Sequence, residues 1–221
     1  MIHYHHLVVV GTSHIAQESL KEISEVIQKE RPSLVALELD RGRFKGLVSG
    51  EKGKIRFRDS SKIGVKGYFF ALIGEFAERK LGDVVGVKPG EDMLRAVEEA
   101  RKIGAKIALI DQPIEKTLKR FSEVLTWKEK GKFVKDFFAH LFRRNKKLPF
   151  DLRSVPNDDM IKKLLEKFKG DYPSIYHVLV VERNVVMARR LHQLMKDYEK
   201  IVAVVGAGHE EGLINELERI S

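Results

Sequence analysis

The sequence contains no cysteine among its 221 residues. That excludes disulfides, thiolate metal centres and a cysteine nucleophile, and it fits a reducing cytosol or a hot one in which thiols oxidise. No run approaches the roughly 18 apolar residues that a membrane-spanning helix requires. The longest, Tyr68 to Ala77, is interrupted by Gly74 and Glu75. The opening MIHYHHLVVVGTSH lacks a basic n-region and a small-residue cleavage site, so no secretory leader is expected. There is no P-loop, no G-x-G-x-x-G and no G-x-S-x-G elbow. Gly206-x-Gly208 follows an apolar run like a fragment of a dinucleotide fingerprint, but His209 and Glu210 put an acid where a pyrophosphate would sit. No RNP aromatic pattern, helix-turn-helix or paired zinc ligands occur, so no specific nucleic acid partner is expected.

What is present describes a globular protein. Hydrophobic residues make up 43% and charged residues 33%, enough apolar material for a real core, and the length fits a single domain over residues 1–221. The formal charge is +9. Between Ile114 and Gly170 there are 16 Lys and Arg against 8 Asp and Glu, so nearly all of the excess sits in a quarter of the chain. Such a stretch is either a solvated helical face or a surface that meets an anionic membrane or an acidic partner.

Four short β-branched runs stand out: Leu7–Val10, Leu34–Leu39, Ile107–Ile110 and Ile201–Val205. Nearly continuous apolar runs without alternation predict strands buried on both faces, as in a parallel sheet. Helical spacing covers 16–30, and again 91–102 before Gly104, the expected terminating glycine. The unit from Leu7 to Leu39 has the length of one βαβ crossover. Residues 42–66 read as a short hairpin or ordered loop, 67–81 as an apolar helix, and 115–142 as one or two basic amphipathic helices. A connection at 145–156 precedes helices at 158–169 and 175–198. The expectation is an α/β fold, a mostly parallel sheet with flanking helices and a basic helical insertion at approximately 114–170.

Each predicted strand ends on polar groups. Gly11-Thr12-Ser13-His14 follows the first and Gly206-Ala207-Gly208-His209 the last, a repeated G-x-x-H turn. The second run carries Glu38 and ends at Asp40, and Ile110 leads into Asp111-Gln112. In open α/β sheets ligands sit outside the carboxyl ends of the strands. A carboxylate within an apolar strand needs a partner, because burying it alone costs several kcal/mol; a metal, an arginine or a histidine would serve Glu38. Two imidazoles and a carboxylate on one rim suit a hydrolytic metal site, or, without metal, general acid–base work. The mixed nitrogen and oxygen donors favour Mn²⁺, Co²⁺ or Zn²⁺. Arg183 and Asn184 lie in an apolar helix; Arg183 is read either as a clamp for Glu38 or a substrate oxyanion, or as one half of an exposed pair with Glu182. His3, His5 and His6 read as an adventitious cluster, and His140, His177 and His192 as ordinary helix residues.

Four ordered blocks, GTSHIAQESLKEISEVIQKERPSLVALELDRGRF, PGEDMLRAVEEARKIGAKIALIDQPIEKTLKR, VERNVVMARRL and VGAGHEEGL, resemble the TraB/PrgY family of pheromone-shutdown proteins, relatives of GumN and TIKI and, more distantly, of erythromycin-esterase and ChaN-like proteins. The resemblance implies an α/β core in which His14 and His209 meet Glu38, with Arg183 and Asn184 in support. TIKI members are described as divalent-metal-dependent peptidases with manganese or cobalt suggested, and the pheromone-shutdown members as blocking or degrading peptide pheromones. Family members often continue into C-terminal membrane helices, which this sequence does not show, and often carry Asp-Arg where Asp111-Gln112 stands. The expected function is a metal-dependent hydrolase acting on a peptide or amide, with Glu38, Arg183 and Asn184 catalytic, His14, Glu38 and His209 on the metal, and Asp40 and Asp111 nearby. The alternative is a non-enzymatic module binding a peptide or small ligand in the same cleft. A cytoplasmic, peripherally membrane-associated location is expected.

Overall fold

The computed structural model describes residues 1–12, 17–49, 90–124, 126, 128, 129, 131, 132, 135 and 158–221. The core is a five-stranded sheet formed by β1 (Ile2–Tyr4), β2 (Leu7–Thr12), β3 (Leu34–Leu37), β4 (Lys106–Leu109) and β5 (Ile201–Gly206) in the order β1-β2-β5-β3-β4. The last strand in sequence lies at the centre, paired in parallel with β2 (Leu7 opposite Ile201) and with β3 (Leu34 opposite Ile201). β4 joins β3 in parallel, and only β1 runs the other way, Ile2 opposite Val9. The expected mostly parallel α/β sheet is the observed one.

The apolar runs face two cores. Leu7, Val9, Leu34, Ala36, Ile201, Ala203 and Val205 point to one side. There they meet Met187, Ala188 and Leu191 of α7 (Glu182–Leu194), and Leu213, Ile214 and Leu217 of α8 (Glu210–Ile220). Val8, Val10, Val35, Leu37, Val202 and Val204 point to the other. Those residues pack on Ile23, Val26 and Ile27 of α1 (Gln17–Glu30), and on Met93, Ala96, Val97 and Ala100 of α3 (Glu91–Lys102). Alternate residues of one strand are thus both apolar because each face has its own helical cover. A third cluster joins Phe121 of α4 (Ile114–Val124) to Ile175 and Val178.

Several expectations are revised. β3 ends at Leu37, so Glu38 stands at the strand's exit rather than inside it; its N–H still donates to the Val204 carbonyl at 3.1 Å before Leu39 N–H turns back to Leu37 at 2.7 Å. The expected hairpin or loop at 42–66 opens as a helix, α2 (Arg41–Ser49), because Asp40 accepts from the N–H groups of Gly42 (2.7 Å) and Arg43 (3.1 Å) and so caps it. The single helix expected over 175–198 is three pieces: α6 (Pro173–Tyr176), a π-helical turn (His177–Val181), then α7. β1 escaped the pattern reading because a three-residue edge strand carries too little of it. Of the basic insertion, α4 and α5 (Asp158–Asp171) are described; the helix expected at 67–81, the remainder of the helical stretch at 115–142 and the connection at 145–156 lie outside the described residues.

Among the described residues no helix is long and apolar enough to cross a membrane. Leu191, fully buried between α7 and the sheet, gives a direct measure of that core. Leu191→Ala should lower unfolding free energy by about 2–5 kcal/mol through lost transfer energy and the cavity left behind, read as a shift of the urea midpoint without change in slope.

Candidate functional site

Four parallel strands deliver their carboxyl ends to one rim, and the polar residues that follow them meet there. Glu38, just past β3, lies beside the end of β5 and accepts the Gly206 N–H on Oε2 at 2.6 Å. Its Oε1 accepts from Nη2 of Arg183. Arg183 also grips Asp111, the residue after Ile110, through Nε (3.2 Å to both carboxylate oxygens) and Nη2 (2.7 Å). Nη1 reaches the Leu179 carbonyl and Nε2 of His209, each at 3.2 Å. All five N–H groups of this guanidinium are therefore committed. Burial pulls its pKa down, but the charges and hydrogen bonds of Glu38 and Asp111 outweigh that and hold it above the ordinary arginine value, so Arg183 is a permanent cation.

The π turn delivers this arginine. Ile175 before it and Val178 within it are buried against Phe121; after it, Asn184, Met187, Ala188 and Leu191 are buried against the sheet and α8. The wider turn changes the phase of the buried stripe, and the Leu179 carbonyl within it accepts from Arg183 Nη1.

His209 caps the start of α8 and is 9% exposed in its side chain. Its Nδ1 faces Asn184 Oδ1 at 2.6 Å. An amide oxygen can only accept, so Nδ1 carries the proton and Nε2 keeps its lone pair. That Nε2 lies 3.4 Å from Oε1 of Glu38. Asn184 in turn fits against α8 only because position 212 is glycine: a Cβ there would collide with the Asn184 amide. Gly11 plays the same part for Glu210, whose Oε1 accepts the Gly11 N–H at 3.0 Å where a Cβ would overlap the carboxylate.

Asp40 and Asp111 belong to the same network, but as holders of arginines. Asp40 Oδ2 accepts from Arg43 Nε at 2.7 Å, and Arg43 Nη2 donates to Asp111 Oδ2. Arg190 Nη1 donates to the Asp111 main-chain carbonyl. Glu182 does not pair with Arg183; it binds Arg120 at 2.6 Å. Gln112, which departs from the Asp-Arg pattern noted in the resemblance, turns to Thr117 at 2.9 Å. His6 binds the Met195 carbonyl at 3.0 Å, a structural bond, while His3 and His5 are exposed.

Arg43 and Asp92 are among the residues that went unremarked in the sequence, as are Arg190 and Gly212. For Arg43 the signal was the D-R-G-R stretch, in which an aspartate at a helix start finds an arginine three positions on. Asp92 Oδ2 accepts from Thr12 Oγ1 at 2.6 Å, tying the end of β2 to the first turn of α3, both residues buried.

Nε2 of His209 and Oε1 of Glu38 are donors of the type expected for a divalent ion, and each accepts a hydrogen bond from Arg183 in this structure. His14, the third expected ligand, lies outside the described residues. Among the described residues no group of three or more His, Asp or Glu side chains is arranged to hold a metal. Glu38, Asp40 and Asp111 face Arg43, Arg183 and Arg190, three carboxylates against three guanidinium groups.

The TraB/PrgY/gumN family model matches residues 3–220. An uncharacterized protein of Methanocaldococcus jannaschii is 37% identical over 216 residues, which cover 96% of this chain and 53% of that protein. The TraB domain-containing proteins of Bos taurus and Homo sapiens are 24% and 23% identical over 231 residues, covering 93% of this chain and 60% and 61% of theirs. The chain spans about half the length of the archaeal relative and three fifths of the mammalian ones.

The network makes two expectations measurable. Arg183→Met leaves Glu38 and Asp111 buried without their shared cation and should destabilise the fold by about 3–5 kcal/mol in urea titration. Gly212→Ala should leave the sheet intact while displacing Asn184; the check is the His209 ring resonance in a histidine-selective NMR spectrum, which should lose the signature of a hydrogen-bonded Nδ1–H.

Proposed function

The chain belongs to the TraB/PrgY/gumN family, and we propose that its rim site is that of a metal-dependent hydrolase acting on a peptide or amide bond. The observation that carries the reading is the convergence of His209 Nε2 and Glu38 Oε1, two acceptors 3.4 Å apart that each take a hydrogen bond from Arg183. Asn184 holds Nδ1 of the imidazole, so Nε2 is the nitrogen turned to this point, at the carboxyl ends of parallel strands where α/β sheets place their ligands.

Each residue then has a defined task. His209, Glu38 and His14 would hold a Mn²⁺, Co²⁺ or Zn²⁺ ion. When bound, such an ion supplies Lewis acidity and makes a water a better nucleophile near neutral pH. Glu38 also accepts the proton of the attacking water. Its Oε2 bond to the Gly206 N–H holds the carboxylate in place for that transfer. Arg183, with every N–H engaged, acts through its buried charge on the developing oxyanion rather than by donating to it. Asn184 orients His209 and does not touch the reacting atoms.

The basic surface belongs to the same proposal. Lys116, Lys119, Lys163, Lys167 and Lys169 are exposed among the described residues of 114–170 and would dock a cytoplasmic protein peripherally on an anionic membrane or an acidic partner. Binding to vesicles of anionic lipid should then fall steeply between low and physiological salt; salt-independent binding, or none at low salt, returns these lysines to a solvated face.

The enzyme reading is tested by calorimetric titration with Mn²⁺, Co²⁺ and Zn²⁺ at pH 7.5, in a His3→Gln/His5→Gln background that removes the exposed N-terminal imidazoles. Saturable 1:1 binding is expected, lost in His14→Ala and in His209→Ala. Peptide-library turnover should be abolished by chelator and reduced on the order of 100-fold or more by Glu38→Gln, as expected for loss of a general base. No metal binding and no turnover would overturn this reading, and peptide binding without turnover would favour a non-enzymatic module using the same cleft.

A further inference from the structure

Arg183 is saturated, and Arg43 is not. Arg43 rises from the first turn of α2 with Nε on Asp40 (2.7 Å) and Nη2 on Asp111, and its Nη1 has no partner among the described residues. Its side chain is 32% exposed, whereas those of Asp40 (7%), Glu38 (6%), Asp111 (1%) and Arg183 (15%) are largely withdrawn from solvent. Of these five, Arg43 is the cation that a ligand entering from solvent meets, and two of its nitrogens are already clamped, so little entropy is lost when a third donates.

We propose that Arg43 forms a carboxylate-binding subsite that selects the substrate, taking through Nη1 the terminal carboxylate of a peptide whose amide bond lies over Glu38 and His209. This rests on the hydrolase reading for the neighbouring bond. With Arg190 on the Asp111 carbonyl, Glu38, Asp40 and Asp111 meet three guanidinium groups, so the network is already balanced and none of its carboxylates repels an incoming anion unopposed. An arginine fork with a free N–H prefers such a planar anion to a neutral amide. Asp40 and Asp111 are the positioning residues: they hold Arg43 at the margin rather than letting it fold onto Glu38.

The test compares three N-acetylated alanine peptides by calorimetry on the Mn²⁺-loaded full chain: one with a free C-terminal carboxylate, its amide, and an amide ending in aspartate. The free acid should bind about tenfold or more tightly than its amide, the increment expected of one charge-assisted hydrogen bond. Arg43→Gln should reduce that ratio to near one. Weaker binding of the aspartyl amide than of the free acid assigns the subsite to the chain terminus; equal binding of the two still supports a carboxylate subsite but overturns its assignment to the terminus. Equal affinity of wild-type protein for acid and amide, or an undiminished preference in Arg43→Gln, overturns the proposal, and the wild-type comparison stands even where the variant fails to fold. Chelator-sensitive turnover judges the hydrolase reading separately: turnover without carboxylate preference removes the subsite alone, and carboxylate preference without turnover removes the hydrolase alone.

Discussion

A guanidinium held between two buried carboxylates is the interaction on which the rest of this structure depends. Arg183 comes from α7, Glu38 from the exit of β3 and Asp111 from the turn after β4, so a single side chain joins elements far apart in sequence. Each group alone would be strongly destabilising at its depth, because an ion withdrawn from water keeps a penalty of several kcal/mol after relaxation. Together they are satisfied, and the geometry that satisfies them is narrow. The rim therefore cannot drift: moving β3 or α7 by a turn would strand a charge.

Around that core the site is shaped by what is small. Gly212 lets Asn184 lie against α8, and Asn184 sets which nitrogen of His209 holds the proton. Gly11 likewise admits the Glu210 carboxylate near the end of β2. These glycines thus act through close approach, not only through freedom of the backbone. Arg43 extends the network outward to solvent, so a buried and a part-exposed guanidinium share Asp111. The family model and the archaeal relative match nearly the whole of the present chain.

The sheet was legible from the sequence because a strand covered on both faces leaves no polar alternation to misread. Leu7–Val10 and Ile201–Val205 are apolar at every position, and the structure places alternate residues in two separate cores. Glu38 and His209 were legible for a related reason: polar residues directly after such runs have few places to go except the rim. Arg43 was not, since an arginine in a stretch of Gly, Ser, Lys and Arg looks like solvent-facing charge until Asp40 turns the chain into a helix. The three-part helix was equally hidden, because Pro173 through Leu194 holds a helical pattern throughout and a π turn changes its phase without changing its composition.

By itself the sequence determined the class of the fold, the four parallel strands and the residues that follow them, all consequences of short-range patterning and of the cost of leaving apolar groups wet or polar groups dry. The strand order, the placement of the last strand at the centre, and the pairings of Arg183 with Asp111, Arg43 with Asp111 and Asn184 with His209 were decided only in three dimensions, whereas the Arg183–Glu38 clamp was one of the readings the sequence offered. Those three pairings span 25 to 72 residues of chain. Nothing local records them; they follow from the packing of α7 and α8 on one face of the sheet, which brings charges that must be paired within reach of each other.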